Sequence, residues 1–143
     1  MLNAVVNSTP IISLHDIGKL DILSKMYANV YVPYGVYEEV CIVGNIANEN
    51  AKKYFKTALH KGEVEVMILA DELGANICIV DDKLAREYAK HLGLTVTGTL
   101  GMLVKAKERG ILDLVTPCMD AMIMNEIYIS EILYESIKKL ANE

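Results

Sequence analysis

The stretch Ile77–Gly110, ICIVDDKLAREYAKHLGLTVTGTLGMLVKAKERG, carries most of the architectural information in this chain. Its first four residues, Ile77–Val80, form a continuous apolar run, as expected of a strand covered on both faces. Asp82–Leu92 reads as a helix stopped by Gly93. Leu94–Val96 is a second short strand, and Thr97–Arg109 a second helix, stopped by Gly110. Strands separated by helices imply right-handed crossovers and a mostly parallel sheet.

The flanking segments continue the alternation. Asn3–Val6 is a short strand, broken by Ser8-Thr9-Pro10, where proline suits the first turn of a helix. Ile11–Leu14 and Ile17–Met26 read as short helices separated near Gly18. Asn29–Val32 is rich in β-formers and ends at Pro33. Tyr34–Val43 reads as a helix, Asn45–Lys61 as a more exposed helix, and Glu63–Leu73 as a strongly apolar one. Asp113–Asn125 and Ser130–Asn142 complete the set. The fold class is therefore α/β, with a central, mostly parallel sheet of four or five strands inside a helix-rich shell. Residues 1–143 make a single domain, since no linker, repeat or low-complexity tract divides them.

Composition narrows the function. Apolar residues are 52% of the chain, enough for a core, and the formal net charge is −5. A nucleic-acid contact would need a local basic patch rather than the overall field. The three cysteines (Cys41, Cys78, Cys118) are widely spaced and odd in number, which argues against a disulfide framework and for buried thiols. No apolar run is long enough to span a membrane, and no basic leader precedes the first strand. A soluble cytoplasmic protein without a membrane role is the expectation.

Four positions stand where strands should end or helices begin: Asn7, Glu39, Glu63 and Asp81. In an open α/β sheet, ligands bind beyond the carboxyl ends of the strands. Acids gathered there repel one another, and a hard divalent cation such as Mg2+ or Mn2+ is the usual remedy. Asp81 directly follows its strand, whereas Asp82 has the place of an N-cap. Glu63 opens a helix and shares a face with Val66, Met67 and Ala70; Glu65 lies about 200° around that helix and is the weaker candidate. Asn7 ends the first strand and offers an uncharged amide oxygen, with the Ser8 and Thr9 hydroxyls beside it. Each also has a plainer reading, as a cap or a solvated side chain.

Lys83, Arg86 and Lys90 make one basic stripe along the helix after Asp81, along which a phosphate backbone could lie. Thr97-Gly98-Thr99-Leu100-Gly101 precedes a helix, where Thr97 or Thr99 could cap and backbone amides could hold a phosphate. The second basic cluster, Lys52, Lys53, Lys56, His60 and Lys61, reads as surface. Met119, Met122 and Met124 read as core or interface packing.

The segments VVNSTPIISL, YVPYGVYEEV and GEVEVMILADELGANICIVDDKLAREYAKHLGLTVTGTLGML, in this order, resemble the PIN-domain family. They are most similar to its prokaryotic branch with GEAEAIALA-type and TGTLG segments. The resemblance covers most of residues 3–110. It implies a three-layer α/β/α sandwich and a magnesium- or manganese-dependent ribonuclease, in many members the toxin of a toxin–antitoxin pair. It places the family's acids on Asn7, Glu39, Glu63 and Asp81, with a hydroxyl at Thr97 or Thr99. The first is an amide here, so a dication loses one negative ligand.

Two principal functions follow. One is an RNA endonuclease in which Asn7, Glu39, Glu63 and Asp81 hold metal and Lys83, Arg86, Lys90, Thr97 and Thr99 hold RNA. The other is a catalytically weak or inactive relative that binds RNA or a protein partner. A small-molecule phosphatase would need a nucleophilic Asp where Asn7 stands, and ranks last. An antitoxin partner and a homodimer are further expectations from the resemblance. Ile129, Ile132, Leu133, Ile137 and Leu140 give the last helix an apolar stripe for the core or for another chain.

Overall fold

The computed structural model describes residues 2–33, 35–37, 56–58 and 65–143. Among them the chain forms β1 (Asn3–Val6), α1 (Ser8–Asp16), α2 (Asp21–Met26), β2 (Asn29–Pro33) and β3 (Lys56–Ala58). It continues with α3 (Glu65–Leu73), β4 (Ile77–Ile79), α4 (Lys83–His91), β5 (Val96–Thr97), α5 (Thr99–Glu108), α6 (Thr116–Met124) and α7 (Glu131–Leu140). Residues 35–37 are also helical.

Among the described residues all four strand pairings are parallel, in the order β3-β2-β1-β4-β5. The chain steps outward from β1 to β2 and β3, then crosses to β4 and β5 on the other side. Right-handed crossovers put connections running in opposite directions on opposite faces of the sheet, which makes the α/β/α sandwich. The switch in direction falls between β1 and β4, where Val6 pairs with Ile79. Ala4, Val5 and Val6 of this central strand have no exposed surface, because both faces are covered.

One expectation fails. Asn45–Lys61 reads as a helix, yet Lys56–Ala58 is strand β3, paired with Tyr31–Pro33 of β2. A three-residue polar edge strand has no apolar alternation to announce it, and its ladder partner is far off in sequence. The remaining described helices agree with the sequence to within a few residues. The largest trimming is at Ile17–Leu20, which precede α2, followed by Asp113–Val115 before α6.

Packing accounts for the residues left without chemistry. Val66, Met67 and Ala70 make the buried face of α3, which lies against β1, β2 and β4. Cys78 and Cys118 are buried free thiols, and burial pushes the Cys78 thiol up to about 11, so it packs rather than reacts. Met119 and Met122 are in the core, whereas Met124 is 86% exposed. Only part of the α7 stripe reaches the core: Ile137 is buried but Ile132 is 83% exposed.

A polar clamp joins the last two helices to α5. Asn142 sits at φ 57, the left-handed turn that asparagine tolerates, and Glu143 follows it back towards the start of α6. The Glu143 carboxylate accepts the Val115 N–H at 2.7 Å, the Thr116 N–H at 2.9 Å and Lys107 Nζ at 2.9 Å. Burial opposes ionisation of Glu143, but these bonds outweigh it and hold the carboxyl at about 2, from an ordinary 4.5. The clamp supplies the acceptors that α6, whose N-cap Val115 makes no side-chain cap bond, lacks locally.

Candidate active site

The carboxyl edge of the sheet brings together the ends of β1, β4 and β5. The Asn7 N–H donates to Ile79 O at 3.0 Å and the Val80 N–H to Thr97 O at 2.9 Å. These bonds carry the parallel pairing one step past the strands. Asn7, Asp81 and the Thr97–Thr99 turn therefore share one rim, at the switch between β1 and β4 where open α/β sheets bind ligands.

Asp81 is the best-fixed group there. The Thr99 N–H donates to its Oδ1 at 2.7 Å and the Thr99 hydroxyl to its Oδ2 at 2.7 Å. Thr99 is 3% exposed and is the first residue of α5. The carboxylate thus meets an unpaired N–H at the positive end of that helix, where an anion is favoured. This corrects the expectation that Thr97 or Thr99 caps α5. The N-cap is Gly98, which has no side chain, and Asp81 supplies the missing acceptor from eighteen residues away.

The TGTLG segment has a steric reason for its glycines. A Cβ on Gly98 would lie 2.7 Å from an Arg86 guanidinium nitrogen and 3.0 Å from Asp81 Oδ1. One on Gly101 would lie 2.8 Å from the Thr97 hydroxyl. Thr97 Oγ1 itself donates to Gly98 O at 3.3 Å. The glycines therefore let a cation, a carboxylate and a hydroxyl close around the start of α5. Sequence reading identified the threonines and missed the role of Gly98 and Gly101, although the regular T-G-T-x-G spacing was its visible trace.

The other predicted residues divide. Asn7 Oδ1 accepts the Ser8 N–H at 2.9 Å and caps α1. Ser8 is buried and Thr9 exposed. Asp82 Oδ2 accepts the Ala85 N–H at 3.3 Å, the expected N-cap bond of α4. Arg86 and Lys90 line the same cleft as Asp81, with Arg86 half-buried, while Lys83 is exposed at the start of α4. Glu39 and Glu63 lie outside the described residues, as do Lys52, Lys53, His60, Lys61 and Cys41. Glu65 opens α3. Among the described residues, no group of three His, Cys, Asp or Glu converges to hold a metal.

The cleft has a volume of about 580 Å³ and two unlike walls. Asp81, Arg86, Lys90 and Thr97–Thr99 form the polar one; Met122, Ile127, Tyr128, Ile129 and Leu133 form the apolar one. Ser13 and Thr9 complete the rim beside β1. The donors open to a cation are all oxygens. Each Asp81 oxygen accepts one bond from Thr99, and Asn7 Oδ1 accepts one from Ser8, so lone pairs remain on all three atoms. That set fits a hard divalent ion.

Comparison with known proteins agrees with this fold. No curated protein matches the chain significantly. A solved structure of a PilT N-terminus domain protein from the hyperthermophilic archaeon Sulfolobus solfataricus P2 shares the fold. It has a TM-score of 0.55 and 20% sequence identity, over 73% of this chain and 93% of that one. No helix among the described residues is long and apolar enough to cross a membrane. The family model described as PIN domain matches residues 3–54 and 40–143, nearly the whole sequence, and on that evidence the chain belongs to the PIN-domain family.

Proposed function

We propose that this PIN-domain chain is a divalent-metal-dependent RNA endonuclease, the toxin of a toxin–antitoxin pair. One observation carries the reading: Asp81, at the carboxyl edge of the sheet, is fixed by two 2.7 Å bonds from Thr99 in a cleft that also holds Arg86 and Lys90. A purely structural carboxylate does not need a cationic cleft around it. Asp81 and Asn7 would hold the ion, Mg2+ or Mn2+, with Glu39 and Glu63 as the remaining proposed ligands. When bound, such an ion supplies Lewis acidity towards a phosphate oxygen and lowers the pKa of water.

The chain's own groups do the rest. Thr99 restricts Asp81 to one orientation, so little reorganisation is needed when charge arrives. Arg86 offers a planar fork to a phosphate, and Lys90, one turn on, a point charge to the next. Lys83 extends the stripe along α4. Thr97, with Gly98 beside it, lets the strand approach the start of α5 closely. An antitoxin partner and a homodimer in the cytoplasm complete the proposed setting.

Asn7 favours a second reading, a catalytically weak relative that binds RNA or a protein partner. Its amide both caps α1 and lacks the charge of a carboxylate. Cleavage of labelled single-stranded RNA by the native chain and by Asn7→Asp separates the two. The endonuclease reading predicts metal-dependent cleavage by both, faster in Asn7→Asp. Cleavage by Asn7→Asp alone would support the binding reading, and cleavage by neither would remove the endonuclease reading.

A further inference from the structure

The apolar wall of the cleft is unexplained by metal or phosphate chemistry. It comes from the end of α6, the start of α7 and the turn between them, which carries Tyr128. Glu126 sits at φ 64, a left-handed conformation unfavourable for a residue with a side chain. Two bonds hold it there: the Glu126 N–H to Ile123 O at 3.1 Å and the Ile127 N–H to Met122 O at 3.0 Å. Ile127 and Ile129 then pack against the core, before Ser130 caps α7. Tyr128 between them is 88% exposed and, like them, lines the cleft. Behind it, the Tyr134 hydroxyl donates to Asp120 Oδ1 at 2.7 Å and ties α7 to α6. The backbone beneath the ring is therefore held before anything packs on it, and the freedom lost on packing is mainly that of the tyrosine's two side-chain rotations.

We infer that Tyr128 is a stacking platform for an unpaired base of the nucleic-acid strand, in the cleft that also holds the cations for its phosphates. The inference rests on the reading of the chain as an RNA-processing protein and adds a positioning residue to it. The chemistry of the two walls selects this occupant. Arg86 and Lys90 suit an anion, and Met122, Ile127, Tyr128, Ile129 and Leu133 suit a flat apolar face. A nucleotide has both, joined by a sugar. A volume of about 580 Å³ accommodates groups of that size but not a duplex. Stacking on an aromatic ring is open to every base, so the platform sets strandedness rather than sequence.

The test is binding of a fluorescent single-stranded oligoribonucleotide without divalent metal, so that cleavage plays no part. Native protein, Tyr128→Ala, Tyr128→Phe and Arg86→Gln are compared. Tyr128→Ala should bind about 5- to 100-fold more weakly, Tyr128→Phe should bind like native, and Arg86→Gln should be weaker and less salt-dependent. The loss in Tyr128→Ala should disappear on the matching duplex. Thermal unfolding checks that Tyr128→Ala is folded, as its exposure implies. Native-like binding by Tyr128→Ala with weakened binding by Arg86→Gln would overturn the platform and leave the RNA reading standing. A change of oligomeric state in Tyr128→Ala without a change in RNA affinity would also overturn it, in favour of a contact between copies. No RNA binding by native protein would overturn both.

Discussion

Glu143→Gln should destabilise the fold at neutral pH and lose that effect in acid. Glu143 holds Val115, Thr116 and Lys107 at once, and its side chain is 8% exposed. Its folded carboxyl sits at about 2 against an ordinary 4.5. A carboxyl lowered on folding adds stability above its unfolded value and loses it as pH falls through the folded one. At about 1.4 kcal/mol per unit, this corresponds to roughly 3 kcal/mol. Solvent at the partly exposed Lys107 trims the figure to about 2–3 kcal/mol. For a domain of this size that is about 6–10 °C in melting temperature. The amide keeps the shape but can satisfy neither both N–H groups nor the ammonium fully. Urea unfolding of both proteins from pH 7 to pH 2 is the assay. The gap should be fully open at pH 7, narrow below pH 4.5 and nearly close by pH 2. A gap absent at pH 7, or unchanged across the range, would show that the clamp does not work through the ionised carboxylate.

Three further changes probe the site and the turn beside it. Thr99→Val keeps the buried volume and removes the hydroxyl bond to Asp81; it should cost about 1–2 kcal/mol in denaturant unfolding and slow RNA cleavage about tenfold. Gly98→Ala adds a Cβ 2.7 Å from Arg86 and 3.0 Å from Asp81, so Arg86 must swing away; the Michaelis constant for RNA should rise several-fold with a melting temperature close to native. Glu126→Gly relieves the left-handed residue and should stabilise by about 0.5–1 kcal/mol in thermal unfolding; a loss instead would mean that the glutamate side chain holds the turn.

The parallel sheet was readable because its central strands are apolar runs with helices between them. Ile77–Val80 and Asn3–Val6 needed no tertiary information. Lys56–Ala58 was unreadable, since an edge strand of that length is defined by its ladder with Tyr31–Pro33 and not by its own pattern. In the site, Asp81 followed from its place after β4, and the Arg86 and Lys90 stripe from helical spacing. What held Asp81 did not follow. Thr99 lies eighteen residues on and looked like a helix cap, and only the meeting of β4 with α5 turns it towards the carboxylate. Glu143 carried no local signal, because its partners come from α5 and the start of α6. Tyr128 carried no local signal either, because the cleft it lines is assembled from elements distant in sequence.

The most direct measurement is single-turnover cleavage of a labelled single-stranded RNA in Mg2+ or Mn2+, native protein against Asp81→Asn. Asp81→Asn keeps the size of the side chain and an acceptor for Thr99, so the fold should survive while the charge is lost. Metal-dependent cleavage by native protein, reduced at least a hundredfold in a folded Asp81→Asn variant, is the predicted result. Equal cleavage by the two proteins would place the chemistry elsewhere and contradict the assignment of this cleft as the active site.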